Sequence, residues 1–436
     1  MRKKILSLFL GSMVAGALLV GCGGATGNET IGNEGTESPA EGEQISINIF
    51  QGKVEFRDQF LELARQYEEE NPNVKIDFAA VGGGTDYFTS LRSKFSAGDE
   101  PEIFSLAGPS ELADYQEYLA DVSDTQVASL ALEGTLDGIT TEEGVFGLPF
   151  NLEGYGLIYN KRIFEEAGVN AEEILTYEDL ESAVQLIDQQ KEELNIDAVF
   201  ALAGTEKWVT GNHLANVFLA PEFENDVQKA YESDTLSFER SDELQRMVDL
   251  QSNYSAQPVL SIDYSQQVEK YFSLERVAMI QQGNWIYPSV HAMDPDFAQN
   301  GIGILPIPIE GNEGHLPVGV PNYWVVNNNK DPEVVQASKD FLDWLYTSEI
   351  GKEAVLTQLN FIPAYEGFDE TKIADPLSQT IYEYSSEGNT IGWVFMGYPS
   401  PWGDILGANI QEYIGDQISW DQVVENSVNE WESMRR

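Results

Sequence analysis

The spacing of hydrophobic positions predicts strands and helices in alternation from residue 45 onward. Residues 45–50, 74–81 and 101–106 have the alternating or β-branched pattern of strands. Between them, apolar residues recur at helical spacing, at Phe56, Phe60, Leu63, Ala64 and Tyr67 and again at Tyr87, Leu91 and Phe95. Strands joined in this way predict an α/β sheet of mostly parallel order. Ligands of such sheets gather at the carboxyl ends of the strands.

The same alternation continues to the end of the chain. Helical patterns cover residues 177–187 with a continuation over 189–194, then 242–253, 268–272, 332–347 and most of 403–434. Strand patterns cover residues 198–203, 276–281, 301–305 and 323–327. The length of 436 residues indicates two or three domain-sized units rather than one.

Acidic residues dominate the charge. The chain has 73 aspartates and glutamates against 24 lysines and arginines, a formal net charge of −49. Binding to nucleic acid or to an anionic lipid surface is therefore excluded as a main function, because both need cationic patches. Hydrophobic residues make up 42% of the chain, which predicts a packed core rather than disorder.

The only cysteine, Cys22, follows an export signal. Residues 2–4 are Arg-Lys-Lys, residues 5–21 are apolar or small, and Leu19-Val20-Gly21-Cys22 resembles the lipobox of bacterial lipoproteins. This predicts a signal peptide at 1–21 and a lipidated Cys22, palmitate being one expected acyl chain; the alternative is an ordinary signal peptide that contains a cysteine. Residues 23–44 have the composition of a disordered tether. One cysteine also excludes a disulfide within the chain or a cysteine-based metal site.

Several tryptophans lie at the ends of predicted elements beside polar residues. Trp208, Trp285, Trp393 and Trp402 each lie near glycine, asparagine or proline. Indole faces pack against the C–H faces of sugar rings, while nearby carboxylates and amides bind the hydroxyls. A core anchor is the alternative for any one of them.

Residues 148–166, LPFNLEGYGLIYNKRIFEE, resemble the signature of family 1 extracellular solute-binding proteins, which serve maltose- and multiple-sugar-type ABC importers. Pro149-Phe150-Asn151, Gly156, Tyr159-Asn160 and Glu166 match the pattern. Residues 318–324, VGVPNYW, look most like the raffinose and multiple-sugar branch.

The resemblance implies a two-lobe periplasmic-binding-protein-like α/β fold of type II, with three crossings between the lobes. We place the crossings near Phe150-Asn151, Leu305-Pro306 and Asn360-Phe361. Residues 45–150 plus 306–360 then form lobe 1, and 151–305 plus 361–436 form lobe 2. It also implies a monomeric, lipid-anchored protein on the extracellular face of the cytoplasmic membrane. Such a protein needs no cofactor, binds a neutral oligosaccharide between its lobes and delivers it to permease subunits.

Site residues carried over from the family are the polar residues after the first two strands, one motif carboxylate, an asparagine of the returning segment and three tryptophans: Gln51, Lys53, Glu55, Asp86, Glu153, Asn322, Trp208, Trp285 and Trp402. The chain departs from the maltose pattern at residues 105–109, SLAGP, which lack an aromatic and charged pair. This departure argues against maltodextrin as the ligand.

Two other functions stay open at this point. A secreted glycoside hydrolase needs two carboxylates, and among 73 acidic residues any pair is uninformative. A binding protein for a non-sugar solute is the second. Metal capture is disfavoured because His213, His291 and His315 have no paired spacing, and anion capture is opposed by the acidic charge.

Overall fold

The computed structural model describes residues 44–53, 56–81 and 87–436. Their strands are β1 (Ile45–Gln51), β2 (Val74–Ala80), β3 (Ile103–Leu106), β4 (Thr140–Thr141), β5 (Gly144–Val145), β6 (Leu148–Pro149), β7 (Glu153–Asn160), β8 (Ala198–Phe200), β9 (Val277–Gly283), β10 (Ile302–Leu305), β11 (Leu316–Gly319), β12 (Tyr323–Val326) and β13 (Thr390–Ile391). Within these ranges, no helix is both long and apolar enough to cross a bilayer.

The α-helices of the described part are α1 (Arg57–Glu70), α2 (Tyr87–Ala97), α3 (Pro109–Tyr115), α4 (Lys161–Ala167), α5 (Tyr177–Gln189), α6 (Ala215–Leu219), α7 (Val227–Glu232), α8 (Ser241–Asn253), α9 (Tyr287–Met293), α10 (Pro332–Thr347), α11 (Glu349–Thr357), α12 (Pro376–Ser386), α13 (Trp402–Ile414) and α14 (Trp420–Arg435). α5 begins with a capping box between Thr176 and Asp179. It ends at Gln189, so the predicted continuation to 194 is wrong: Asn195, with φ 55°, follows a run of turns.

The strands form two main sheets, each the centre of one lobe. The first lobe is built on the order β2-β1-β3-β12-β6, and the second on β13-β11-β7-β9-β8, with β10 also paired to β7. The predicted two-lobe α/β fold is confirmed. The sheets are mixed in direction rather than mostly parallel, because β12 runs antiparallel to β3 and β7 runs antiparallel to β9, β10 and β11.

The chain first crosses from one sheet to the other between β6 and β7, at residues 150–152. We call each such crossing between the lobes a passage. The hydrogen bonds place the second and third passages at other residues than we predicted. β11 still pairs in the second sheet and β12 lies in the first, so the chain crosses at 320–322 rather than at Leu305-Pro306. Glu366 still donates to Leu130 O in the first lobe, at 2.8 Å, while α12 packs on β7, β10 and β11. The third passage therefore lies at 367–375. The other predicted lobe limits stay predictions.

Buried tyrosines fix the first passage against the first lobe. Tyr346 Oη donates to Phe150 O at 2.7 Å and accepts from Trp324 Nε1 at 2.9 Å. Tyr365 Oη donates to Pro149 O at 2.5 Å. The Phe150 ring stacks on Trp324 with centroids 4.2 Å apart. These bonds satisfy carbonyl groups that burial would otherwise leave unpaired. They hold the segment that carries Glu153 into the second sheet.

Candidate functional site

An ion pair joins the two lobes beside the first passage. Lys53 follows β1 of the first lobe, Glu153 begins β7 of the second, and Lys53 Nζ lies 2.6 Å from Glu153 Oε1. Only 16% and 17% of the two side chains are exposed. The ammonium also lies 5.6 Å from the ring centre of Phe150 and 5.8 Å from that of Phe361. An ion pair so shielded from water is costly to break from one side only, because the other charge is left unpaired.

Gln51, the last residue of β1, shapes the turn that presents Lys53. Its buried side chain donates from Nε2 to Lys53 O at 2.6 Å and accepts the Lys53 backbone N–H at Oε1. Both polar atoms of the amide are therefore used within the turn. Gln51 therefore positions Lys53, and its predicted direct contact with a ligand stays a prediction.

Six aromatic side chains of the second lobe form a continuous group, which we call the aromatic cluster: Tyr155, Trp208, His213, Trp285, Trp393 and Phe395. His213 lies at its centre and stacks on Tyr155, with centroids 4.3 Å apart and planes 8° apart. Trp208 and Trp285 are 6.4 Å apart, and both are partly exposed. Tyr155 lies two residues from Glu153 in β7, so both side chains point to the same face of the sheet.

Hydrogen bonds fix the two partly exposed indoles of the cluster. Trp285 Nε1 donates to Gln282 Oε1 at 2.8 Å, and Gln282 Nε2 donates in turn to Gln267 Oε1 at 2.7 Å. Both glutamines are buried. Trp208 Nε1 donates to Glu206 Oε2 at 3.3 Å. The polar edges of both indoles are thus satisfied by protein groups, which leaves their ring faces for a ligand.

A π-helical turn at Val209–Leu214 carries His213 and follows Trp208 directly. It packs on α13 through glycines, because a Cβ at Gly211 would collide with Gly403 O and a Cβ at Gly403 with the side chain of Asn212. Turns of this kind are frequent at functional sites.

His213 is held as a neutral imidazole. Burial lowers its pKa to about 3, and no charge partner opposes that shift. Although the residue is partly exposed, its ring is enclosed by the other members of the cluster. A neutral imidazole among aromatic rings can both donate and accept a hydrogen bond.

Two cavities lie between the lobes. We call the first, of about 210 Å³, the passage-side cavity; Thr135 and Asp137 of the first lobe face Asn225, Thr390 and Trp393 of the second across it. Partial burial raises the pKa of Asp137, and the neighbouring Asp226 and Glu133 add to the shift.

The second, of about 250 Å³, we call the Glu111 cavity; Ser110 and Glu111 of the first lobe face Asn212, Phe395 and Ser400 of the second. Burial raises the pKa of Glu111. Among the described residues, no lysine or arginine lines either cavity. Both cavities therefore combine aromatic faces with hydroxyl, amide and carboxyl groups.

Two other predicted residues, Trp402 and Asn322, differ in how far they are buried. Trp402 is fully buried, donates from Nε1 to Ser427 O at 2.7 Å and packs edge-on against Tyr398 and Trp431. Its bond and ring contacts anchor α13 in the core of the second lobe. Trp402 also borders the Glu111 cavity, so its predicted role in sugar binding stays a prediction. Asn322 is partly buried in the second passage, and its carbonyl accepts the Phe150 N–H at 2.9 Å.

Three predicted residues, Glu55, Asp86 and the lipid-attachment residue Cys22, lie outside the described residues. The predicted signal peptide at 1–21 and all of the predicted tether at 23–44 except residue 44 lie outside them as well.

The sequence indicates no site role for His213 or Met396, and it offers Trp393 only as one of several tryptophans that could stack on sugar; His213 and Trp393 belong to the aromatic cluster, and Met396 lines the passage-side cavity. His213 has no metal-ligand or triad spacing, so its spacing indicates no site. The feature of the sequence that could have identified His213 as a site residue is its position, five residues after Trp208 in a segment that contains a glycine. Within the described ranges, no three histidine, cysteine, aspartate or glutamate side chains come together as metal ligands.

Comparison with models of known protein families identifies the family of this chain. The model for bacterial extracellular solute-binding proteins matches residues 53–352, a stretch that includes Lys53, Glu153, Trp208, Trp285 and His213. The chain belongs to this family.

Similar proteins of known sequence and structure agree with that assignment. The chain is 23% identical over 333 residues to a multiple sugar-binding protein of Streptococcus mutans, covering 72% of this chain and 74% of that one. It has the fold of RafE from Streptococcus pneumoniae in the apo form, with a TM-score of 0.73, 19% identity and coverage of 92% and 100%. A structure of RafE with raffinose gives a TM-score of 0.69 at 19% identity, with coverage of 90% and 100%.

Proposed function

We propose that this solute-binding protein captures a neutral oligosaccharide in the cleft between its lobes and delivers it to the permease of an ABC importer. The observation that carries the proposal is the aromatic cluster, whose partly exposed Trp208 and Trp285 have their N–H groups already bonded to protein. Indoles held in this way offer ring faces to the C–H faces of a sugar. The relatives named for multiple sugars and for raffinose support the same class of ligand.

Charge supports a neutral ligand. Asp137 and Glu111 belong to the walls of the two cavities, and no lysine or arginine does so among the described residues. Sugar hydroxyls donate readily to carboxylates, whereas an acidic sugar would meet like charge. Lys53 does not alter this balance, because Glu153 neutralises it at 2.6 Å.

Capture requires no covalent chemistry. A ligand that touches both lobes binds the closed arrangement better than the open one, and so shifts the population toward it by that difference in affinity. The Lys53–Glu153 pair joins the lobes where they are hinged, so we assign it to the inner end of the cleft. A permease then recognises the closed form.

The remaining parts of the proposal rest on the sequence. Export followed by acylation of Cys22 would tether a monomer outside the cytoplasmic membrane through residues 23–44. Such a tether keeps the binding protein close to its permease, which raises the effective concentration of each for the other. Mass spectrometry of the intact protein purified from membranes tests it: a diacylglyceryl mass on Cys22 is expected, and an unmodified Cys22 would refute the anchor.

Isothermal titration calorimetry with a panel of neutral mono- to tetrasaccharides tests the proposed function. We expect saturable binding of at least one oligosaccharide, recovered unchanged by chromatography. A product sugar would instead establish an enzyme. Trp285→Ala should weaken the binding, whereas the matched control Trp344→Ala, in α10 of the first lobe, should not, because Trp344 bonds to Glu70 away from the cleft.

A further inference from the structure

The two cavities between the lobes share one wall. Ala107 and Met396 are the residues that line both the passage-side cavity and the Glu111 cavity. Ala107 lies between β3 and α3 in the first lobe, and Met396 lies in the short helical turn Val394–Gly397 of the second. The wall is therefore made where the lobes meet, and it divides the cleft into two compartments.

Small residues of the first lobe let the second lobe come this close. A Cβ placed on Gly108 would lie 3.2 Å from Met396 O and 3.5 Å from Met396 Cβ, tighter than ordinary van der Waals contact for the first of these. Gly108 directly precedes Pro109, the first residue of α3. The segment that departs from the maltose pattern of the family, SLAGP at 105–109, is thus the one on which Met396 lies.

The wall is firmly held on the side of Met396 as well. A Cβ at Gly397 would collide with Val227 O of α7, so the turn that carries Met396 packs directly on that helix. Gln228 of α7 also donates from Nε2 to Asp137 O of the first lobe, at 3.0 Å. The turn cannot withdraw from Ala107 without disturbing α7 and this contact between the lobes.

We propose that Met396, seated against Ala107 and Gly108, is a specificity-determining residue that limits the length of the oligosaccharide. The inference rests on the proposed function. At about 210 Å³ and 250 Å³, each compartment is below the size of roughly 300 Å³ at which pockets for larger ligands begin. A sugar long enough to occupy both compartments must pass the Met396 side chain. A shorter sugar fits on one side of the wall and does not meet that barrier.

The test compares Met396→Ala with the wild type by calorimetry in two ladders of probes: melibiose, raffinose and stachyose, and maltose, maltotriose and maltotetraose. The quantity of interest is the Kd of the shortest bound sugar divided by the Kd of the longest. Met396→Ala removes the wall and should raise this ratio about tenfold, the scale set by a few methylene-sized groups in a pocket. Met396→Phe should lower it. Met293→Ala is the matched control, because Met293 is 44% exposed on α9.

Each outcome bears on the proposal. An unchanged ratio in a Met396→Ala protein that still binds sugar would overturn the length limit and leave the proposed function intact. Equal weakening for every length would identify Met396 as a simple contact residue and would also overturn it. If the wild type binds no member of either ladder or of the wider panel, the proposed function fails, and this inference fails with it.

Discussion

Replacing Trp402 or Trp285 with alanine should give opposite phenotypes, although both tryptophans were expected from the sequence to stack on sugar. Trp402 is fully buried, with ring centroids 4.8 Å from Tyr398 and 4.9 Å from Trp431. Trp285 is partly exposed beside His213, at 5.3 Å. The first substitution therefore removes a core side chain, and the second removes a partly exposed ring of the aromatic cluster, which we propose to contact the sugar.

The magnitudes follow from these surroundings. Truncation of a buried tryptophan costs about 3–5 kcal/mol in free energy of unfolding, from lost burial and the cavity that remains. Trp402→Ala also leaves Ser427 O without its donor, which places the cost toward the upper end. Trp285→Ala should cost much less stability, because its ring is partly solvated, while affinity for the sugar falls by about 1–3 kcal/mol.

Urea unfolding and calorimetry measure the two effects side by side. We expect Trp402→Ala to lower the unfolding midpoint strongly and to bind sugar normally where it remains folded. Trp285→Ala should keep its midpoint and raise Kd by about 5- to 150-fold. The reasoning is refuted if Trp402→Ala keeps its midpoint and loses affinity, or if Trp285→Ala unfolds as readily as Trp402→Ala.

Three further predictions address the passages and the charges. Lys53→Met should destabilise the fold by leaving Glu153 unpaired, and Glu153→Gln in the same chain should restore part of that loss; a double-mutant cycle in urea measures the coupling, and additive effects would show none. His213 has a folded pKa of about 3 against about 6.5 unfolded, so the unfolded state binds more protons as pH falls below about 6.5. Stability should fall by up to about 1.4 kcal/mol per pH unit toward pH 3. His213→Gln should remove this dependence of stability on pH, whereas His291→Gln, at an exposed histidine, should not. An equal dependence on pH in the two variants would contradict the burial of the His213 ring. Tyr365→Phe should cost about 1 kcal/mol of stability by leaving Pro149 O unpaired, measured by thermal unfolding, and an unchanged midpoint would mean that this bond adds nothing.

Local pattern was sufficient for β1, β2, β3, α1 and α2, but it did not predict α3 or the two-residue strands β4, β5 and β6, which also precede the first passage. The alternation over 45–50 and the helical spacing from Phe56 to Tyr67 correspond to β1 and α1, because each buries one regular face. Direction within the sheets was not predictable in this way. Whether β12 runs parallel or antiparallel to β3 depends on how the chain returns from the second sheet, which no local spacing records.

The candidate site shows the same limit. Lys53 and Glu153 were both predicted as ligand residues, but nothing in the sequence placed them 2.6 Å apart across the lobes. Trp402 and Trp393 both follow proline or glycine in the sequence. Both border a cavity, but Trp402 is closed into a core by Tyr398 and Trp431, whereas Trp393 packs against His213 in the aromatic cluster. That difference is made by packing from distant segments, so composition around a tryptophan cannot predict it.

Saturation-transfer NMR on a sugar that the calorimetric panel identifies tests the central claim most directly. Irradiation of the protein's aromatic resonances should transfer magnetisation to the ring C–H protons of the sugar, and Trp285→Ala should reduce the transfer sharply while Trp344→Ala leaves it unchanged. Transfer that is absent in the wild type, or that survives undiminished in Trp285→Ala, would contradict an aromatic cluster that holds sugar between the lobes.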